Sequence, residues 1–429
     1  MNTAMNIRLK ASAAALALTL SLGMSAQDFF SWGVRQPESR VKFIYDATFD
    51  YRFDNREFDA GKERFTESMT LYGARLTPSV GLKVSRNESV SHKLMLGIDV
   101  MKEFGRHPVA EGPETDNALE NTRLFREITM YYGLDARLDA WKINGCAGIF
   151  PRALSEGVYS QAFFSDSLKF YDNNLEGLLL KASAPRTYME IVFDWNGQFG
   201  SFRREQFNIF GYGHYEFNGW LSAGLAFKYH HYANAEEYGS VVDDGLFQPF
   251  VKFDFGEACG LQELSAGLSG YLAVQQDRRL ENGKRNPGGA ELTLSVRNWN
   301  VGIENRTYYG KNLMPFYSSV DDGGYKYGNN LYSGSAFYRI MPDRTGGCDF
   351  YDRFEVYYQP HIADFLDLRL SVVAHFPNGF SYAGMQQKLS LFFSLDRLLN
   401  PDNARAVSRR SSRRGRSGRG TADRFIFGL

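Results

Sequence analysis

The chain has 429 residues, 49 basic and 49 acidic side chains and a mean hydropathy of −0.37. Past the N-terminus no stretch reaches the roughly 18 apolar residues that a membrane-crossing helix needs, which excludes a helical membrane protein. Residues 395–429 hold nine Arg against three Asp and the first 26 residues hold two basic side chains, which leaves 38 basic against 46 acidic residues between them. An acidic body with a basic tail is not a nucleic-acid-binding layout.

Residues 1–26 read as a secretory signal. Arg8 and Lys10 form the basic start, 11–22 the apolar run, and Gly23, Ser25 and Ala26 the small residues for cleavage. From there to 394 the dominant pattern has a period of two. In 124–138, Glu127, Thr129, Tyr131, Gly133, Asp135 and Arg137 fall on one face, and Ile128, Met130, Tyr132, Leu134, Ala136 and Leu138 on the other. That alternation marks a strand with one wet and one greasy side. It recurs at sixteen places: 41–53, 71–85, 91–104, 124–138, 140–150, 175–183, 188–195, 207–217, 221–232, 247–255, 263–276, 290–299, 301–309, 352–360, 366–376 and 382–394. Pro78 and Pro249 fall inside two of them and each removes a ladder donor, so each predicts a bulge or a displaced strand boundary.

The links alternate in length. Even-numbered strands end in tight connections such as Pro185-Arg186, Asn218-Gly219 and Asn298-Trp299-Asn300, whereas 105–123, 151–174 and 310–351 are long. Long loops on one side and tight turns on the other are what a transmembrane barrel requires. Closing the sheet also pairs every backbone group away from lipid. The expected fold is therefore all-β: one antiparallel transmembrane barrel of about sixteen strands over 27–394, with both termini periplasmic. The tail, 395–429, is low in complexity and expected to be disordered.

Alternation turns Arg75, Lys83, Asp99, Glu127, Asp135, Arg137, Lys228, Lys252, Glu291, Arg297, Glu304, Arg306, Arg353, Glu355 and Arg369 inward. Charges there need water or partners. The expectation is a hydrated, pore-lining wall; the alternative is a lumen shut by these same ion pairs. In the two longest loops Tyr159, Phe163, Phe164, Tyr171, Tyr325 and Tyr327 are candidate contacts for a ligand, with packing as the competing role. The seven histidines are scattered; His230 and His231 point to opposite faces and read as part of an aromatic girdle rather than a site. With no nucleophile motif, no cofactor motif, and three cysteines (Cys146, Cys259 and Cys348) spaced for neither metal nor disulfide framework, no enzymatic role and no cofactor are expected.

The alternation, the loop asymmetry and the aromatic run 387–393, QKLSLFF, resemble the porin-like outer-membrane barrels of diderm bacteria, a group that includes general porins, phosphate-selective porins and the alginate-export type. About 35 residues follow that run here, whereas in the family it usually closes the chain. The resemblance implies an outer-membrane location and, as partners, membrane lipid and lipopolysaccharide, the barrel-assembly machinery, and small hydrophilic solutes or glycans. It implies passive or facilitated diffusion of such solutes. The alternative is a non-conducting barrel whose loops bind or help assemble surface polysaccharide.

Overall fold

The computed structural model describes residues 41–58, 68–85, 89–105, 125–201, 203–233, 241–324, 326–340 and 347–399. The expected signal peptide, the tail from residue 400 and Tyr325 lie outside them. Eighteen strands form one sheet. They are β1 (Val41–Phe58), β2 (Met69–Ser85), β3 (Val90–Glu103), β4 (Phe125–Leu138), β5 (Trp141–Pro151), β6 (Asn174–Ala184), β7 (Thr187–Gly197), β8 (Gln206–Glu216) and β9 (Leu221–Ala233). There follow β10 (Val241–Asp254), β11 (Glu263–Asp277), β12 (Lys284–Arg285), β13 (Gly288–Asn298), β14 (Val301–Gly310), β15 (Asp349–Tyr358), β16 (His361–Ala363), β17 (Leu366–Phe376) and β18 (Gly384–Ser394).

The two shortest, β12 and β16, only extend the rims, because β11 pairs directly with β13 and β15 with β17. Sixteen strands therefore cross. All observed neighbours are antiparallel, and β1 pairs with both β2 and β18, from Thr48↔Ser394 to Phe58↔Gly384. The sheet is closed and has no open edge to protect.

Neither proline marks a bulge. On either side of Pro78 the register to β3 is unchanged (Leu76↔Val100, Ser79↔Gly97), and the same holds around Pro249 against β11 (Phe247↔Leu272, Phe250↔Ser269). Each ring costs ladder bonds without shifting the strand. β10 begins six residues earlier than the alternation suggested, because Asp243 and Asp244 interrupt the apolar pattern while continuing the strand.

The outer face is an apolar belt in which Ile128, Met130, Leu178, Leu180, Leu268 and Leu272 are each at least half exposed. Rings bound it. At the tight-turn end Trp220 stacks along Phe253 and Phe255, and Trp299 is 84% exposed in a two-residue hairpin with φ of 50° and 64° at Trp299 and Asn300. At the long-loop end are Tyr51–Tyr72–Phe104, Trp195–Phe207–Tyr229 and Tyr309–Phe350–Phe380. Two girdles around an apolar band are the mark of an outer-membrane barrel, with the short turns periplasmic. Where β14 and β15 carry polar residues outward, they satisfy each other: Asp352 accepts from Asn305 at 2.8 Å and Thr307 at 2.6 Å. The chain is an outer-membrane β-barrel protein.

The core lies inside the barrel. Residues 152–173, 311–324 and 326–340 turn into the lumen and pack their aromatics against the wall, burying Phe150, Phe163, Tyr232, Tyr308, Tyr327 and Tyr351 almost completely.

Candidate active site

Inside the wall, the fifteen residues expected to line a pore divide by depth. Lys252, Glu291, Glu304, Arg306, Arg353, Glu355 and Arg369 border one cavity of about 290 Å³. It reaches the periplasmic rim at Asn218 and Trp220 and is capped by Ser155, loop residues 157–161, Asp166 and Lys169. Glu355 accepts from Arg353 at 2.7 Å and Arg369 at 2.8 Å; Glu304 accepts from Arg306 at 2.7 Å. Others anchor the inserted loops. Arg75 donates to Asp99 at 2.6 Å and to the Phe170 carbonyl at 2.6 Å, and Lys228 donates to Ser333 at 2.7 Å; Glu127 accepts from Asn174, the first residue of β6 after the loop. Asp135 accepts from Asn144, while Lys83 and Arg297 are half-buried and Arg137 is exposed near the periplasmic rim.

The loop aromatics proposed as ligand contacts largely face protein. Phe163, Phe164 and Tyr327 are buried between loop and wall, because packing there removes their rings from water; Tyr171 is exposed and donates to Glu103. Tyr159 borders the cavity and donates to Glu190 at 2.8 Å. Glu190 also takes Ser155 Oγ at 2.6 Å, the Glu156 amide at 2.8 Å, the Gly157 amide at 2.9 Å and the Tyr188 hydroxyl. The two loops bond to one another, Ser335 N to the Gln161 carbonyl at 2.7 Å and Ser165 N to the Ser333 carbonyl at 2.8 Å. In the short helix Asp166–Tyr171, Asp166 meets Lys388 at 2.5 Å. Burial pushes the Asp166 carboxyl up, but Lys388, Lys169 and Arg353 outweigh it and hold it well below the usual carboxylate range. Burial pushes Lys169 down to about 8.

A different arrangement lies on the outside. Across the long-loop rim the pairing places Trp195, Phe207, His231, Asp243 and Gln276 directly opposite one another on β7 to β11, with Lys284 of β12 next. His230 and Asp244 point inward, to the Leu331 carbonyl and Lys228, so His231 and Asp243 point out. His231 Nδ1 and Asp243 Oδ1 are 2.8 Å apart. The same oxygen accepts from the Tyr229 hydroxyl at 2.7 Å, and Oδ2 accepts from Arg278 Nε at 3.0 Å and Nη2 at 2.7 Å. Phe207 lies over the imidazole, 4.9 Å between centroids and 21° from parallel. A carboxylate on Nδ1 fixes the tautomer and leaves Nε2 as the basic nitrogen. The position is the outer aromatic girdle, where a lipid's polar head meets its chains. Sequence alternation put His230 and His231 on opposite faces, but the partner Asp243 fell in what was expected to be a loop.

Among solved structures the fold is similar to OmpT of Vibrio cholerae in a loop L8 deletion form (9% identity, 83% of this chain and 100% of that one, TM-score 0.47). It is also similar to Salmonella typhi OmpF (11%, 82% and 98%, 0.44) and to a variant of the Rh. blastica porin (13%, 82% and 100%, 0.40). No curated protein matches the sequence. A family profile does match, over residues 47–381, and its description is lipid A 3'-O-deacylase-type. That match corrects the expectation that no enzymatic role attaches to this chain, which rested on the lack of a linear nucleophile motif; a site assembled from several strands leaves no such motif. Matched from within β1 to the approach to β18, the chain belongs to the lipid A 3'-O-deacylase-type family.

Proposed function

We propose that this protein hydrolyses an acyl ester of an outer-leaflet lipid, lipid A being the substrate class in the family's name, with His231 as general base and Asp243 as the residue that orients it. His231 Nε2 takes a proton from water as the water oxygen adds to the ester carbonyl. The tetrahedral intermediate then breaks its C–O bond to the sugar, and the imidazolium returns the proton to the leaving alkoxide, giving a free fatty acid and an alcohol. Asp243, held by Tyr229 and Arg278, stabilises the imidazolium between these steps.

The observation that carries this reading is a His–Asp pair facing outward at girdle level. A lipid substrate reaches that position by lateral diffusion, without entering the barrel. Passage of solutes through the lumen, the leading expectation from the sequence, draws less support, since two bonded loops fill its outer half. The same burial weighs against display of those loops for binding polysaccharide.

The test is mass spectrometry of lipid A from cells that express the protein. The intact protein should remove one acyl chain, and His231→Ala and Asp243→Ala should not, with all three barrels retaining heat-modifiable mobility in gels. Deacylation that survives in folded His231→Ala protein would sink the assignment.

A further inference from the structure

The cavity bordered by Arg306, Arg353 and Arg369 is not part of the exterior site and opens on the opposite side of the membrane. Its ionic wall is balanced: these three arginines stand with Glu291, Glu304 and Glu355, and both Arg353 and Arg369 bond Glu355. A free anion or cation entering beside Glu304 or Glu355 would have to break an existing pair. A hydroxyl group, which both donates and accepts, would not.

Another side of the same cavity is aromatic. Tyr212 and Phe250 stack with centroids 5.5 Å apart, 15° from parallel, and His214 adjoins them at 5.6 Å from Tyr212. Two buried donors or acceptors on this lining, His214 Nδ1 and Arg353 Nε, have no partner among the described residues. Ser265, Ser269, Thr293 and Ser295 add hydroxyls between the two sides. An apolar ring face beside a charge-neutral array of donors and acceptors matches a sugar, whose C–H face is apolar and whose rim is hydroxylated. The volume of about 290 Å³ is at the small end for ligand pockets, which run from about 300 to 1,000 Å³.

We propose that this chamber is a binding site for a neutral saccharide of one or two rings, entered from the periplasm and closed above by the inserted loop 152–173. It stands independently of the deacylase reading.

The probe is maltose, followed by isothermal titration against the full-length protein in detergent, with sodium sulfate as the anionic comparison. Maltose should bind with a dissociation constant of about 1 mM or tighter. Phe250→Ala should weaken it at least about tenfold, and Thr293→Trp, which fills the chamber without touching an ion pair, should abolish it. His231→Ala should bind as the unmodified protein does, so loss of the exterior chemistry and loss of this site are separable. Heat-modifiable mobility establishes that each barrel is folded. Three results would overturn the proposal: no heat with maltose, undiminished binding in folded Thr293→Trp protein, or sulfate binding more tightly than maltose.

Discussion

Glu190 is the residue whose removal should open the barrel. Its carboxylate takes four donors from the inserted loop: Ser155 Oγ, the Glu156 and Gly157 amides, and the Tyr159 hydroxyl, at 2.6–2.9 Å. A hydrogen bond to a charged group contributes about 1.5–3 kcal/mol, so four are worth roughly 6 kcal/mol even at the low end if they add. That is comparable to a whole domain's stability of about 5–15 kcal/mol. The wall does not depend on them, because β7 keeps its ladders to β6 and β8. Glu190→Ala should therefore release the loop locally and leave the barrel closed. Gly157→Ala approaches the same state from the other partner, since a Cβ at that position would stand 2.4 Å from Glu190 Oε1 and 2.7 Å from Tyr212 Cβ. The assay is planar-bilayer recording of purified protein, paired with limited proteolysis. The unmodified protein should be silent or nearly so; both variants should show stepwise conductance and new cleavage within 152–165, with heat-modifiable mobility unchanged. Silent, protease-resistant Glu190→Ala protein would mean that the carboxylate does not hold the loop.

Face assignment gives a second prediction: Leu370→Arg or Ile128→Arg should cost about 2–4 kcal/mol in denaturant titrations, as for a cation near the bilayer midplane. Arg75→Leu, expected from the sequence to be mild if the side chain faces water, should instead cost about 3–5 kcal/mol, because Arg75 is buried and its loss strands Asp99. A third concerns acid. The Asp166 carboxyl is depressed below its ordinary 3.8, so its contribution to holding the loop is complete above that pH and is lost as pH falls below it. Lys169 acts in the same direction at higher pH: its value of about 8 lies under its ordinary 10.5, so the loop gains further stability as pH rises between them. Loop proteolysis followed across pH should show protection falling on the acid side and, in Lys388→Met, little remaining acid dependence.

Much of the wall was legible because a strand's facing depends only on parity. Once Ile128 and Met130 read as lipid-facing, Glu127 and Tyr131 had to face the lumen, and sixteen strands follow from repeating that step. What fills the lumen was not legible. Phe163, Phe164 and Tyr327 have the same composition whether a loop projects outward or folds in, and only the distant partners Glu190, Lys388 and Lys228 decide which. The dyad was hidden for a related reason. His231 and Asp243 lie on strands whose connecting segment looked longer than it is, since 241–246 mixes valine with two aspartates. Each aspartate is satisfied on its own face, Asp243 by His231, Tyr229 and Arg278 and Asp244 by Lys228, which is why the strand runs on through them.

The same parity ties the two sides of the barrel together. On β9, Tyr229 and His231 point outward to Asp243, while the residues between and beside them point inward: Lys228 to Ser333, His230 to the Leu331 carbonyl, and Tyr232 edge-on to Tyr327. At the end of β11, Asp277 accepts from Tyr327 inside, and the next residue, Arg278, reaches outside to Asp243. Successive residues in one strand cannot move separately by more than the backbone allows. The segment 327–333 therefore backs the strand ends that carry the exterior pair, from the side that lipid never reaches. In a hollow barrel those rim residues would be the ones most free to fray. A filled lumen gives the proposed acid–base pair on the outer wall the fixed geometry that proton transfer over hydrogen-bond distances requires.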